Sequence, residues 1–245
     1  MQANLTNMKK IFFALATLTL IASCSNKQEE NNDYNLTITG NIDGFKQGKL
    51  YFQKEIDSAL VTIDSVIVDG DSKFTKKFKI DSPELMFLNI ERNNSNNIDN
   101  SLVFFAEPGE MNIETTLQQF YYNAKITGSK NHELYEQYRN MVSRYRNEST
   151  RLIGLDILAK KEKNYARIDS IQKASDKLIV QRYLAVANFV KNNQDKEIAA
   201  LLIVDEIPNI SKPILDSITK NIPTEVYNSK YGKELQNLLK VRETE

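Results

Sequence analysis

Few residues of this 245-residue chain could carry chemistry, and two types occur once: Cys24 is the single cysteine and His132 the single histidine. A lone thiol leaves no internal disulfide, no Cys-x-x-Cys couple and no cysteine-rich zinc site. A hydrolytic zinc site or a Ser–His pair must use His132 or do without imidazole. His132 follows Ser129 and Asn131, both residue types that cap helices, so it reads first as a polar residue at a helix start. A ligand or base role needs carboxylates brought in from afar. Asp69-Gly70-Asp71 opens like a calcium loop, but the fifth and twelfth positions hold Lys73 and Ile80, where that loop needs oxygen ligands. A hairpin turn is the better reading. Glu107 and Glu110 bracket Pro108-Gly109 and could do acid–base work only if burial separated their pKa values. There is no nucleophile motif and no phosphate-binding glycine loop. The expectation is a non-enzyme with no catalytic residue, metal or cofactor.

Arg139, Arg144, Arg146 and Arg151, with Tyr135, Tyr138 and Tyr145, could form a face for a polyanion or glycan. The tyrosines follow a helical apolar stripe, so core packing with a solvated basic side is the competing account. Formal net charge is zero, which gives no electrostatic case for nucleic acid. With 41% hydrophobic and 26% charged residues, the composition is that of a globular protein.

Lys9 and Lys10 precede the apolar run Ile11–Ile21, which falls short of the roughly 20 residues that span a membrane. A basic flank, a short apolar core and small residues form the pattern of a secretory signal peptide over residues 1–23. Ile21, Ala22 and Ser23 before Cys24 resemble a bacterial lipobox. That resemblance implies cleavage before Cys24 and acylation of its thiol and amino group, which anchors the chain stably at a membrane. Residues 24–33 then read as a flexible tether. Lys27-Gln28-Glu29-Glu30 is similar to acidic stretches that send some Bacteroidota lipoproteins to the outer surface. The implied location is the cell envelope, at the outer membrane.

The elements that position everything else divide near Gly128. Six of eight glycines lie between Gly40 and Gly128, among alternating β-branched and aromatic residues that mark half-buried strands. Leu36, Ile38 and Ile42 share one face of the first. Leu60–Val68 and Lys73–Ile80 flank Asp69–Ser72, and Leu85–Glu91 and Leu102–Ala106 flank an Asn-rich loop over 93–100. Phe104 and Phe105 face opposite sides of their strand, one to the core and one to a contact. About eight short strands over 34–128 predict an antiparallel β-sandwich or partly closed barrel. Over 129–245 the period lengthens to about 3.6 residues, as in the stripe Leu134, Tyr138, Met141 and Tyr145. The fold class is α+β, a sandwich followed by an α-helical domain.

The order Ile38-Thr39-Gly40-Asn41-Ile42, Lys49-Leu50-Tyr51, Asp64-Ser65-Val66, Phe104-Phe105-Ala106-Glu107-Pro108-Gly109-Glu110 and Ile126-Thr127-Gly128-Ser129 resembles the N-terminal domain of unknown function of TlpA-like thiol–disulfide lipoproteins of Bacteroidota. In those relatives a thioredoxin domain with a dithiol follows; this sequence has no dithiol to receive the family's redox role. The resemblance implies a non-catalytic interaction or binding module, or an accessory that meets a separate thioredoxin-fold envelope protein; an unrecognised hydrolase is the remaining class. Asp-Ser-apolar triplets at Ser58, Ser65, Ser170 and Ser217 are similar to Bacteroidota O-glycosylation acceptors.

Overall fold

Strict alternation of buried and solvent-facing residues forms β1 (Leu36–Asp43), with Leu36, Ile38, Gly40 and Ile42 turned inward. The computed structural model describes residues 33–91 and 99–244. The segment expected to be a signal peptide, Ile21, Ala22, Ser23 and Cys24 of the expected lipobox, and most of the expected tether lie outside the described residues, as do residues 92–98 of the Asn-rich loop.

The remaining strands are β2 (Gln47–Ile56), β3 (Ala59–Asp69), β4 (Phe74–Phe78), β5 (Glu84–Glu91), β6 (Ser101–Ala106), β7 (Gly109–Thr116) and β8 (Lys125–Thr127). They make two four-stranded sheets, ordered β4-β1-β7-β8 and β3-β2-β5-β6. Aromatic side chains join the sheets: the Phe52 ring meets Phe74 edge-on at 5.6 Å and Phe78 at 5.1 Å.

The eight expected strands are present, with three differences in how they connect. The sheets are not closed into a barrel. One pairing is parallel: β1 runs beside β7 from Leu36↔Gly109 to Asp43↔Thr116. Pro108 and Gly109 carry the chain across from the other sheet, and Gly109, at φ 128°, donates its N–H to Asn35 O at 2.8 Å. Asp69–Ser72 is a crossover rather than a hairpin turn, because β3 pairs with β2 while β4 pairs with β1. A hairpin would have left β4 outside the exposed edge strand β3. The crossover instead buries Phe74 and Phe78 against Phe52.

The helices are α1 (Lys130–Lys161), α2 (Tyr165–Lys191), α3 (Glu197–Glu206), α4 (Lys212–Thr219), α5 (Thr224–Asn228) and α6 (Lys230–Glu243). α1 spans 32 residues, about 48 Å at 1.5 Å per residue. It turns through Glu162–Asn164, where Lys163 takes φ 54° and the Asn164 side chain caps α2 by accepting the Arg167 N–H. The two long helices form a hairpin, hereafter the stem. α3 is apolar around its circumference, with Ile198 to Ile203 all buried, as befits a helix enclosed by neighbours. α1, α2, α4, α5 and α6 surround it in a second core. The chain from Tyr34 onward forms one compact unit.

Candidate functional site

Two groups of polar side chains lie at the seam between sandwich and helices and in a groove along the stem. The seam begins at β6, whose adjacent rings enter different cores: Phe104 lies in the sandwich and Phe105 among the helices, both fully buried. Phe105 meets Tyr231 of α6 edge-on at 5.8 Å, and its backbone N–H donates to Nδ1 of His132 at 3.3 Å. That bond makes Nδ1 an acceptor and places the proton of the neutral ring on Nε2. Burial lowers the His132 pKa to about 4, against a weaker opposing pull from Glu133.

Ser129 caps α1 by accepting the His132 N–H at 2.9 Å, and its own hydroxyl donates to Glu107 at 2.9 Å. The Asn131 N–H donates to the same Glu107 oxygen at 3.0 Å, so the carboxylate sits where the helix dipole favours negative charge. The Asn131 side chain serves a different helix. Its Oδ1 accepts the Ile198 N–H at 3.0 Å and its Nδ2 donates to Glu197 at 2.8 Å. It thereby caps α3, whose own N-cap, Lys196, makes no side-chain cap bond. A second clamp lies nearby: buried Glu84 pairs with Lys54 at 2.9 Å and with Lys230 at 3.3 Å. The Tyr231 hydroxyl accepts the Leu85 N–H at 2.8 Å.

The groove, of about 400 Å³, runs between α1 and α2 beyond the end of α3. Tyr138, Val142 and Arg146 of α1, Ile179 and Arg182 of α2, and Glu206 of α3 line it. Arg182 and Glu206 form an ion pair. The Tyr138 hydroxyl hydrogen-bonds Glu206, and burial together with that bond raises the phenol above its ordinary range. Ser149, Thr150 and Ser175 add hydroxyls. Cations, hydroxyls and aliphatic walls suit contact with an amphipathic surface. The groove does not hold the paired, differently buried acids that proton transfer needs.

Residues singled out by sequence fall as follows. The four arginines divide between two faces. Arg139 stacks over Tyr121 at 4.5 Å and Tyr135 at 5.7 Å, with Arg146 two turns further on the same side. Arg144 lies 4.8 Å over its neighbour Tyr145 and Arg151 pairs with Glu148 at 2.6 Å, on the opposite side. A 3.6-residue period forces that split. Asp71 accepts the Lys73 N–H at 3.0 Å, and no group of acidic, histidine or cysteine side chains able to hold a metal occurs among the described residues. Glu110 is exposed while Glu107 turns to α1, so the two do not form an acid–base pair. Ser58, Ser65, Ser170 and Ser217 are all exposed. Among the described residues no helix is long and apolar enough to cross a membrane.

Sequence reasoning missed Arg182–Glu206 and Lys54–Glu84–Lys230. The partners lie 24, 30 and 146 residues apart, and no local spacing marks them.

Residues 36–135 match the family model described as a domain of unknown function, DUF4369. The matched segment takes in every strand among the described residues and the first turn and a half of α1, so Glu107, Ser129, Asn131 and His132 lie within it. The groove and α2 to α6 lie outside it. No curated protein and no solved structure matches the chain.

Proposed function

We propose that this protein is a non-catalytic binding module of the cell envelope, lipid-anchored through Cys24 at the outer membrane, with the stem as its contact surface. One observation carries the reading. The polar residues that could do chemistry at the seam, His132, Glu107, Ser129 and Asn131, already bond each other or the backbone, whereas the stem presents an open groove with solvent-facing isoleucines. The lipobox resemblance supports the anchor. The likeness to the N-terminal domain of TlpA-like lipoproteins of Bacteroidota supports an envelope role, including service to a thioredoxin-fold protein in trans.

The reading is tested by placing a photo-crosslinking amino acid at single positions of the full chain in intact cells. Probes at Ile153 and Ile179 on the stem are expected to give adducts, and a probe at Ile67 on the sandwich surface none. Adducts confined to Ile67, or absent everywhere, would sink the binding role of the stem. Membrane fractionation of Cys24→Ala checks the anchor separately: the variant is expected in the soluble fraction, and retention at the membrane speaks against lipidation.

A further inference from the structure

We infer that the sandwich carries a saccharide site, a cleft between the β1–β2 turn and the loop of residues 117–124, and that its ligand is a neutral oligosaccharide. The cleft lies at the end of the β1–β7 ladder where Asp43 faces Thr116, opposite to the Leu36↔Gly109 end. Its volume is about 450 Å³, within the roughly 300–1,000 Å³ of small-ligand clefts. Asp43, Thr116, Gln118, Gln119 and Asn123 line it, Gly44 adds bare backbone, and Leu117 is the one aliphatic side chain among its lining residues. It shares no residue with the stem groove, and the inference goes beyond the stem reading without resting on it.

The cleft is held in shape before any ligand arrives. Fully buried Phe120 anchors the loop in the sandwich core, and its carbonyl accepts the Thr115 hydroxyl at 2.6 Å. The Leu117 N–H donates to Asp43 O at 2.8 Å, and the Asn123 N–H to Gln119 O at 2.9 Å. Asn123 Nδ2 donates to the Thr116 hydroxyl at 3.1 Å. The Tyr121 N–H donates to Asp99 at 3.0 Å, and Arg139 lies over the Tyr121 ring. A ligand therefore does not have to order the loop, which favours affinity.

The groups left over match sugar hydroxyls. Among the described residues the side chains of Asp43, Gln118 and Gln119 make no hydrogen bond or ion pair. Each glutamine offers two donors and an acceptor, and the carboxylate offers acceptors alone. A sugar hydroxyl both donates and accepts, so neighbouring hydroxyls can engage an amide and a carboxylate together. No Lys or Arg lines the cleft, so a phosphate or carboxylate ligand would meet Asp43 with no cation to offset it. With a single aliphatic wall, the cleft also lacks the apolar lining that a hydrophobic ligand needs. Tyr122 adds a stacking surface. In the turn closed by the Asn123–Gln119 bond, three-residue spacing sets Tyr122 on the side of Gln119. It is 81% exposed, and the negative face of its ring attracts the C–H face of a pyranose.

The test titrates maltotriose, cellotriose and chitotriose into the full chain, held in a polyoxyethylene detergent that has no sugar headgroup, with calorimetry and saturation-transfer NMR as readouts. At least one of the three is expected to bind with a Kd of about 1 mM or tighter. Gln119→Ala and Tyr122→Ala, both at exposed positions, should each weaken it by about fivefold or more with circular dichroism unchanged. Preference for chitotriose assigns an N-acetylated glycan as the source and preference for the other two a plain hexose chain; either supports the site. Tighter binding of the anionic sialyllactose overturns the neutral class. Binding that both variants leave intact overturns the location, and no binding of any trisaccharide at about 10 mM overturns the inference.

Discussion

The backbone N–H of Phe105 and Nδ1 of His132 meet at 3.3 Å, tying the last strand of one sheet to the first turn of the longest helix. The bond requires a neutral imidazole, since a protonated ring has no acceptor nitrogen.

Stability should therefore depend on pH in a defined window. With a folded pKa of about 4 against about 6.5 unfolded, the unfolded chain binds the proton first as pH falls. The contribution of neutral His132 is present above about pH 6.5 and lost progressively down to about pH 4, by on the order of 3 kcal/mol. Urea unfolding of the wild type and of His132→Asn at several pH values checks this. The variant should show a flatter profile across that window.

Phe105→Ala should cost about 3 to 5 kcal/mol, the range for removing a buried aromatic ring. Because the ring belongs to the helical core, near-ultraviolet circular dichroism should report loosened tyrosine packing, Tyr231 foremost. An effect below about 1 kcal/mol would contradict its burial.

Asn131→Ala should remove the cap of α3 and leave the Ile198 N–H buried without a partner, at about 1 to 3 kcal/mol. Asn131→Asp keeps the acceptor but sets a carboxylate beside Glu107 and Glu197. It should recover only part of the loss, and less at neutral pH than at pH 4. Thermal unfolding at the two pH values separates the terms.

Gly40→Ala should disrupt the sandwich, because a Cβ there would lie 2.4 Å from Ile113 O and 2.5 Å from the Phe74 ring. The backbone of the neighbouring strand cannot yield cheaply, so the expected cost is at or above the upper end of the roughly 1 to 3 kcal/mol typical of overpacking. Hydrogen exchange should show β1, β4 and β7 losing protection first.

Much of the fold is legible in residue order because it rests on local period. The two-residue alternation in Leu36–Asp43 and the stripe through Leu134 and Tyr138 need no distant information. The pairing of strands is a different matter. Nothing between Asp69 and Ser72 states whether β4 returns to β3 or crosses to β1; that choice depends on Phe52, a residue from another strand. Phe104 and Phe105 could be assigned to opposite faces from the strand pattern, but not to two cores, since the second is assembled from residues after Gly128. The groove was half visible. Arg146 and Tyr138 stood out on α1, whereas Arg182 and Glu206 acquire meaning only when α2 and α3 fold back alongside them.

β1 has one consequence of a mechanical kind. The chain enters the described fold through this strand, which lies in the interior of its sheet between antiparallel β4 and parallel β7. A pull applied ahead of Tyr34 along the strand loads the eight paired positions with β7 together, in shear, while β4 resists from the other side. Hydrogen bonds loaded side by side give way only as a group, unlike those of a strand peeled from an edge one pair at a time. The sandwich thus meets such a pull with a strand held on both sides, at the end where a tether is expected.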